Sequence, residues 1–445
     1  MSYWTEHSVG FAPQVAFGTP NTTDLDTRFL LCDKPKVSFT TEIAEMELLT
    51  GQVGSAPERL VGKRGGSITV SMPLEGLMAA YDPTTMNPGT AGVVAPWKCL
   101  LDNVLGSNIS AVASAADFWA DVHASVSQYS SAGVASATSS ILTLDNATAS
   151  DKISVGEMVI TALSATSTTP QIGFAKTKAG QSVTLFSASQ HTVNDPAANV
   201  YGTSTGWLSS QHGNQLPMTI QWRGNATEAC YYLQDAVCEN VKITWDSGSV
   251  PTIEFSYKFF NFSVDKTAGG LEIPDSFKRI PQLVGSVNAV ASLAGTSTCG
   301  LESCVLEYST EIKEIKCHAA NQGITGVLYN KPRIRASMSI PWSSSDAVYD
   351  SAGVAGNTGA HKWQSYLERG VTTSIGMIVG SNVGKCFGFL VPAAVLTEVP
   401  SIEDLDGSVG FGLKFEAGSY SGDSSDTAES TSNSPIDSLF RISVG

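Results

Sequence analysis

Alternation with a period of two dominates this chain, the mark of β-strands buried on one face. Val37, Phe39, Thr41 and Ile43 alternate with their neighbours, and Leu306, Tyr308, Thr310 and Ile312 repeat that phase 269 residues later. Both stretches contain Thr-Glu-Ile. A second run, Ile68, Val70 and Met72 with hydroxyl residues between them and Pro73 at the end, recurs 268 residues later as Ala336, Met338, Ile340 and Pro341. A third pairs Cys230 and Phe255-Ser-Tyr-Lys258-Phe259 with Cys386 and Phe411-Gly-Leu-Lys414-Phe415, now 156 residues on. Matched phases put equivalent side chains into equivalent sheets, so three matches in the same order describe an internal duplication.

The period becomes that of a helix at one place in each half. Trp97, Leu100, Leu101, Val104 and Leu105 fall at i, i+3, i+4, i+7 and i+8, with Pro96 at the start and Gly106 after the end. Trp363, Tyr366 and Leu367, followed by Gly370, predict a shorter helix at the matching point. Asp275-Ser-Phe-Lys-Arg-Ile280 against Asp437-Ser-Leu-Phe-Arg-Ile442 closes the correspondence and places the boundary between copies near residue 285. The expected architecture is therefore mainly β, with tandem domains over 1–285 and 286–445, each packing one helix on its sheets.

The fall in offset from 268 to 156 leaves 112 additional residues in the first copy, between about 107 and 215. Within them Ser140–Leu144, Glu157–Ile160 and Ser182–Phe186 read as short strands separated by turn residues, which predicts a small inserted β module. Removing 107–215 is expected to leave assembly intact, because the second copy does without it. Gly418–Pro435, nearly devoid of apolar residues, reads as a solvated acidic loop.

Composition narrows the function. Charged residues are 15% of the chain, against roughly 25% in an average soluble protein, while Gly, Ser, Thr and Ala abound. A net charge of −15 and a pI near 4.8 are the reverse of the basic footprint that displaces phosphate counterions, so tight nucleic-acid binding is not expected. No stretch reaches the ~18 apolar residues of a membrane span, and the N-terminus lacks a basic segment followed by an apolar one, which predicts a cytosolic origin without a membrane. Eight cysteines without C-x2-C pairs read as core thiols.

Candidate chemistry is sparse. Gly202-Thr-Ser204-Thr-Gly206 matches a nucleophile-elbow pattern but lacks the hydrophobic strand before it and the helix after it. The six histidines are isolated, and Cys317-His318 and Cys299-x4-Cys304 have no second ligand pair. No catalytic, cofactor or metal site is expected, and the chain does not read as an enzyme. The basic clusters, Lys63-Arg64 and Lys331 with Arg333 and Arg335, stand at the starts of matched strands, after loops expected over 44–66 and 313–333. Equal loop length with changed sequence suits an interface of constrained geometry, with Leu48, Leu49, Arg59, Lys63, Arg64, Tyr329 and Lys331 as its candidates. Trp97, Leu101, Trp363 and Leu367 are the expected helix-core residues.

Fusing two copies of a domain is natural when the single domain worked in a symmetric ring, since one chain then fills two adjacent positions. Here the sequence resembles the tail tube proteins of long-tailed bacteriophages, on Phe39-Thr-Thr-Glu-Ile43, the Gly65-Gly66 strand and the helix from Trp97. The resemblance implies two tail-tube-like β-sandwiches in a virion protein whose trimeric, pseudo-hexameric rings stack into a tube. It implies an inserted module projecting outward and partners among tape measure, tail terminator and tail-tip proteins. Double-stranded DNA would pass without specific binding through an acidic channel, for which Glu42, Glu254 and Glu311 are candidates. Assembly would take place in the host cytoplasm. A capsid decoration protein and a surface adhesin or carbohydrate-binding β protein are the competing readings.

Overall fold

A computed structural model describes residues 8–22, 29–30, 32–46, 58–75, 78–81, 88–93, 96–105, 128–130, 134–137, 141–144, 158–162, 171–179, 181–185, 199–201, 204–209, 215–223, 230–265, 290–293, 296–298, 301–317, 323–341, 367–368, 370–379, 386–405, 407–418, 420 and 438–444. Among these the chain is mainly β. In the first part run β1 (Ser8–Pro13), β2 (Phe29–Leu30), β3 (Lys36–Met46), β4 (Glu58–Pro73), β5 (Met78–Tyr81) and β6 (Pro88–Val93), then the helix α1 (Pro96–Leu105). Next come β7 (Gln128–Ser130), β8 (Val134–Ala137), β9 (Ile141–Leu144), β10 (Met158–Ala162), β11 (Gln171–Ala179), β12 (Ser182–Leu185) and β13 (Asn199–Tyr201). They are followed by β14 (Ser204–Ser209), β15 (Met218–Arg223), β16 (Cys230–Asp246), β17 (Thr252–Phe259) and β18 (Asn261–Asp265). The last part holds β19 (Val290–Leu293), β20 (Thr296–Thr298), β21 (Ser303–Lys316), β22 (Ile324–Pro341), β23 (Thr372–Val379), β24 (Phe387–Leu396), β25 (Ser401–Leu405), β26 (Ser408–Ala417) and β27 (Ser438–Val444).

Eighteen strands join into one large antiparallel sheet, and within it one pairing order occurs twice. The first is β2-β1-β15-β16-β17-β4-β3, every step antiparallel. The second is β20-β19-β23-β24-β26-β22-β21. Taken along the chain, the strands fill the same places in both, so the two orders are one topology used twice. The register also corrects the third sequence match. Val70 lies opposite Phe255 while its counterpart Met338 lies opposite Leu413, so the equivalent of Phe255 is Leu413, an offset of 158. A slip of two residues keeps every side chain on its own face, and a period-two pattern does not register it. By pairing with the start of β16 and of β24, the counterpart of β27 is β18. The proposed partner of β27, residues 275–280, lies outside the described residues.

The core is the inner face of these strands. Ile68, Val70 and Met72 meet Ile253, Phe255 and Tyr257 in the first order, and Ala336, Met338 and Ile340 meet Phe411, Leu413 and Phe415 in the second, all buried in one continuous cluster. Gly66 is required by space: a Cβ there would lie 2.0 Å from the Ser38 carbonyl oxygen and 2.5 Å from the Phe259 ring. The Gly65-Gly66 pair thus lets three strands close under an aromatic cluster in which Phe39 touches Phe259 and Phe262.

The expected loops over 44–66 and 313–333 are largely strand. β3 and β4 stay paired to Met46 and Glu58, and β21 and β22 to Lys316 and Ile324, so each segment is a long hairpin arm. Each arm carries an irregularity at nearly the same place, opposite Glu42 in one and Thr310 in the other.

The helix α1 forms where expected and buries Trp97, Leu100, Leu101, Val104 and Leu105. Its Trp97 Nε1 donates to the Glu75 carbonyl oxygen (3.0 Å), and the indole meets Phe387 of β24 edge-on at 5.8 Å. In the second half Leu367 and Glu368 are helical, and Gly370, at φ +59°, donates its N–H to the Leu367 carbonyl, a helix-ending turn. Trp363 lies outside the described residues. The predicted strands of the insertion appear as β9, β10 and β12 in a separate seven-stranded sheet, β7-β13-β10-β11-β12-β9-β8. That sheet rests on the second repeat, where Met158 and Phe174 pack with Cys386 and Leu390. β14, though inside the interval 107–215, pairs with β27 in the large sheet.

Candidate assembly interface

The site with most structure to it is the junction where one repeat meets the other inside the chain. The second half of β16 pairs with β17 of its own repeat on one edge and with β21 of the next repeat on the other. The register runs from Asn240 opposite Ser309 to Asp246 opposite Ser303. Val241, Ile243 and Trp245 alternate inward and meet Tyr308, Leu306 and Cys304, all buried, so the junction continues the core without a seam. Burial pushes the Cys304 thiol, like that of Cys238, well above its ordinary range. These are inert core thiols, as expected from the cysteine pattern.

Polar groups fix the register. Asn240 Nδ2 donates to Glu307 Oε1 across the junction at 2.6 Å. Gln215 clamps Cys238 through both ends of its amide, Nε2 to the carbonyl at 2.9 Å and Oε1 from the N–H at 3.1 Å. Tyr329 of the second repeat donates its hydroxyl to the Gln215 carbonyl at 3.3 Å. Burial holds the Tyr329 phenol above its usual range, with Tyr308 and Cys238 nearby adding to the effect.

Farther out, Glu314 of β21 accepts from Lys63 of β4 at 2.5 Å and sits 3.5 Å from Lys258 of β17. Both ammonium groups lie over the Phe260 ring, at 5.4 and 5.3 Å. Partial burial pushes the Glu314 carboxyl up, but the two lysines outweigh it and hold the group below its ordinary value. One carboxylate therefore links strands from both repeats.

On the opposite face from the core, residues directly across the strands form a transverse ladder of alternating charge. Glu254 stands opposite Lys242, Lys242 opposite Glu307, Glu307 opposite Arg335, and Arg335 opposite Glu416. Opposite charges facing across strands favour this register over a slipped one. The row beside it, Thr69, Ser256, Asn240 and Ser309, is hydroxyl and amide, with Thr69 and Ser256 bonded at 3.3 Å.

The structure distributes the sequence candidates unevenly. Lys63 and Tyr329 stand at the junction. Arg64 is exposed on β4, and Arg59 and Lys331 lie within β4 and β22 rather than in loops. Leu48 and Leu49 lie outside the described residues. Of the acids, Glu254 is the end of the charge ladder, while Glu42 and Glu311 are exposed, Glu311 accepting from Asn330 at 3.3 Å and 3.9 Å from Lys313. Leu101 is buried in α1 and Leu367 packs against the main core. Ser204 opens β14, paired with Val444, and is not in a strand-to-helix turn. Among the described residues no group of three or more His, Cys, Asp and Glu side chains converges on a metal-sized site, and no helix is long and apolar enough to cross a membrane. Asn240, Glu307 and Gln215 were not among the sequence candidates. Each is a single polar residue whose partner is 23 or 67 positions away, a relation that no local pattern carries.

No protein-family model matches the chain, and no curated protein is detectably similar to it.

Proposed function

We propose that the protein is a structural subunit of a bacteriophage tail tube, in which three chains close a pseudo-hexameric ring and rings stack around a DNA channel. The observation that carries this reading is the repeated strand order joined head to tail by β16 and β21 within one chain. A head-to-tail junction uses two different surfaces of one unit, so it propagates from unit to unit and forms a ring where the rotation between units closes. In this reading each repeat is a tail-tube-like sandwich with a flanking helix, residues 1–285 and 286–445, and the seven-stranded insert faces outward.

The channel side of the reading rests on the polar face of the sheet. Its carboxylates stand opposite lysines and arginines, and its remaining positions are largely hydroxyl. A lining of that kind offers passing phosphates no net positive well and no counterions to release. In this reading acids such as Glu254 line the acidic channel within a ladder of alternating charge, three carboxylates to two cations. Tape measure, terminator and tip proteins are the partners of this reading, and the virion tail its location.

Negative-stain electron microscopy of the concentrated full chain tests it. Stacked rings with an open centre and three outward projections are the expected result. Dispersed monomers at every concentration would turn the assignment toward a decoration protein or an adhesin.

A further inference from the structure

Four strands of the first repeat and four of the second form one continuous run, β3-β4-β17-β16-β21-β22-β26-β25. Among the described residues its two end strands are paired on one edge only, β3 with β4 and β25 with β26. The internal junction says what those ends are. β3 is the counterpart of β21. β25 is the counterpart of the end of β16, because Ser401 and Glu403 face Gly412 and Gly410 as Lys242 and Thr244 face Glu254 and Thr252.

The two halves of the junction inside the chain thus recur, unjoined, at its two ends, and their exposure differs accordingly. Ile243 is 3% exposed in the junction, and its counterpart Ile402, on the same face, is 74% exposed. Tyr308 is 4% exposed and its counterpart Phe39 is 39% exposed. Large apolar groups that one repeat covers with its neighbour are left open where, among the described residues, no neighbouring strand pairs.

We propose that β25 of one molecule pairs antiparallel with β3 of a second copy of this chain, in the register of the β16–β21 junction. Transferring that register puts Ser401 opposite Ser38, Ile402 opposite Val37, and Glu403 opposite Lys36. The transferred pairs are complementary: apolar meets apolar on the core face, and a carboxylate meets an ammonium on the polar face. The same contact repeats from molecule to molecule, with main-chain hydrogen bonds supplying affinity as in other strand additions. This inference deepens the assembly reading and rests on its head-to-tail order, though not on the conduit for DNA.

The test is disulfide trapping in the full chain, followed by non-reducing electrophoresis, with sedimentation of the same samples. Ser38→Cys with Ser401→Cys is the in-register pair, and Thr40→Cys with Ser401→Cys is displaced by two residues; the single variants control for native Cys317, which is exposed. Covalent dimers and trimers are expected from the in-register pair, at several times the yield of the displaced pair. Assembled particles that fail to cross-link in this register would overturn the strand pairing while leaving a ring-forming subunit intact. A bond formed within one chain would overturn it as well, by showing that the two ends meet in the same molecule. Monomers without cross-links at all concentrations would overturn both readings. As a second measurement, Glu403→Lys should weaken association by roughly ten-fold, and adding Lys36→Glu should restore it. Failure of the double variant to recover would count against the register.

Discussion

Gly66 has no room for a methyl group against the Ser38 carbonyl and the Phe259 ring. Gly66→Ala should cost about 1–3 kcal/mol through forced strand displacement, read as a lower denaturant midpoint. Glu314 behaves differently, because its lysine partners hold its folded pKa below the ordinary value. Its contribution is complete above the ordinary carboxylate range, about 4.3, and is lost as the pH falls through the lower folded value. Glu314→Gln should therefore lower the unfolding midpoint at pH 7, and the two proteins should converge in acid, once the pH falls below the lowered folded value. A difference that persists unchanged in acid would show that Glu314 acts by packing rather than charge.

The elements divide into those with local support and those without. α1 carries its own signal, an apolar stripe with Pro96 at its start, and its five apolar positions are buried as the periodicity requires. It packs against Phe387, a strand residue of the other repeat. Leu101→Ala should cost about 2–5 kcal/mol, seen as a lower thermal midpoint, and loosening should reach the second repeat. The hairpin arms read as loops in the sequence because their polar and glycine-containing residues do not alternate cleanly. What keeps them extended is pairing along their length: on the β21–β22 arm one face packs Ile312, Val327 and Tyr329 against Val237 and Phe260, while Ile315 and Leu328 on the other face are exposed.

For the whole molecule, the structure alters the deletion that the duplication suggests. Removing 107–215 would take away β14, which covers β27, and Gln215, which clamps Cys238. Removing only 107–203 would spare both and uncover Cys386 and Leu390 beneath the inserted sheet. The shorter deletion, closed by a Gly-Ser linker, is expected to give soluble folded protein, whereas the longer one should aggregate. Soluble yield and size-exclusion profiles of the two variants distinguish these outcomes, and equal behaviour would show that β14 is dispensable.

Much of this was legible in the residues themselves. The mainly β character, the strand phases of both halves, the helix at Trp97 and the inserted strands follow from periodicity, because a face that must be buried writes itself into the sequence every second or every 3.6 residues. The duplication was legible for the same reason, although the two-residue slip at Phe255 and Leu413 was not, since alternation is blind to an even displacement. What tertiary structure alone decided is pairing between distant segments: β16 beside β21, β14 beside β27, Lys63 on Glu314, and the two unjoined ends at Val37 and Ile402. A strand's sequence states which face is buried, and its edges are main chain, alike in every residue but proline, so the choice of neighbour rests on the packing of the whole sheet.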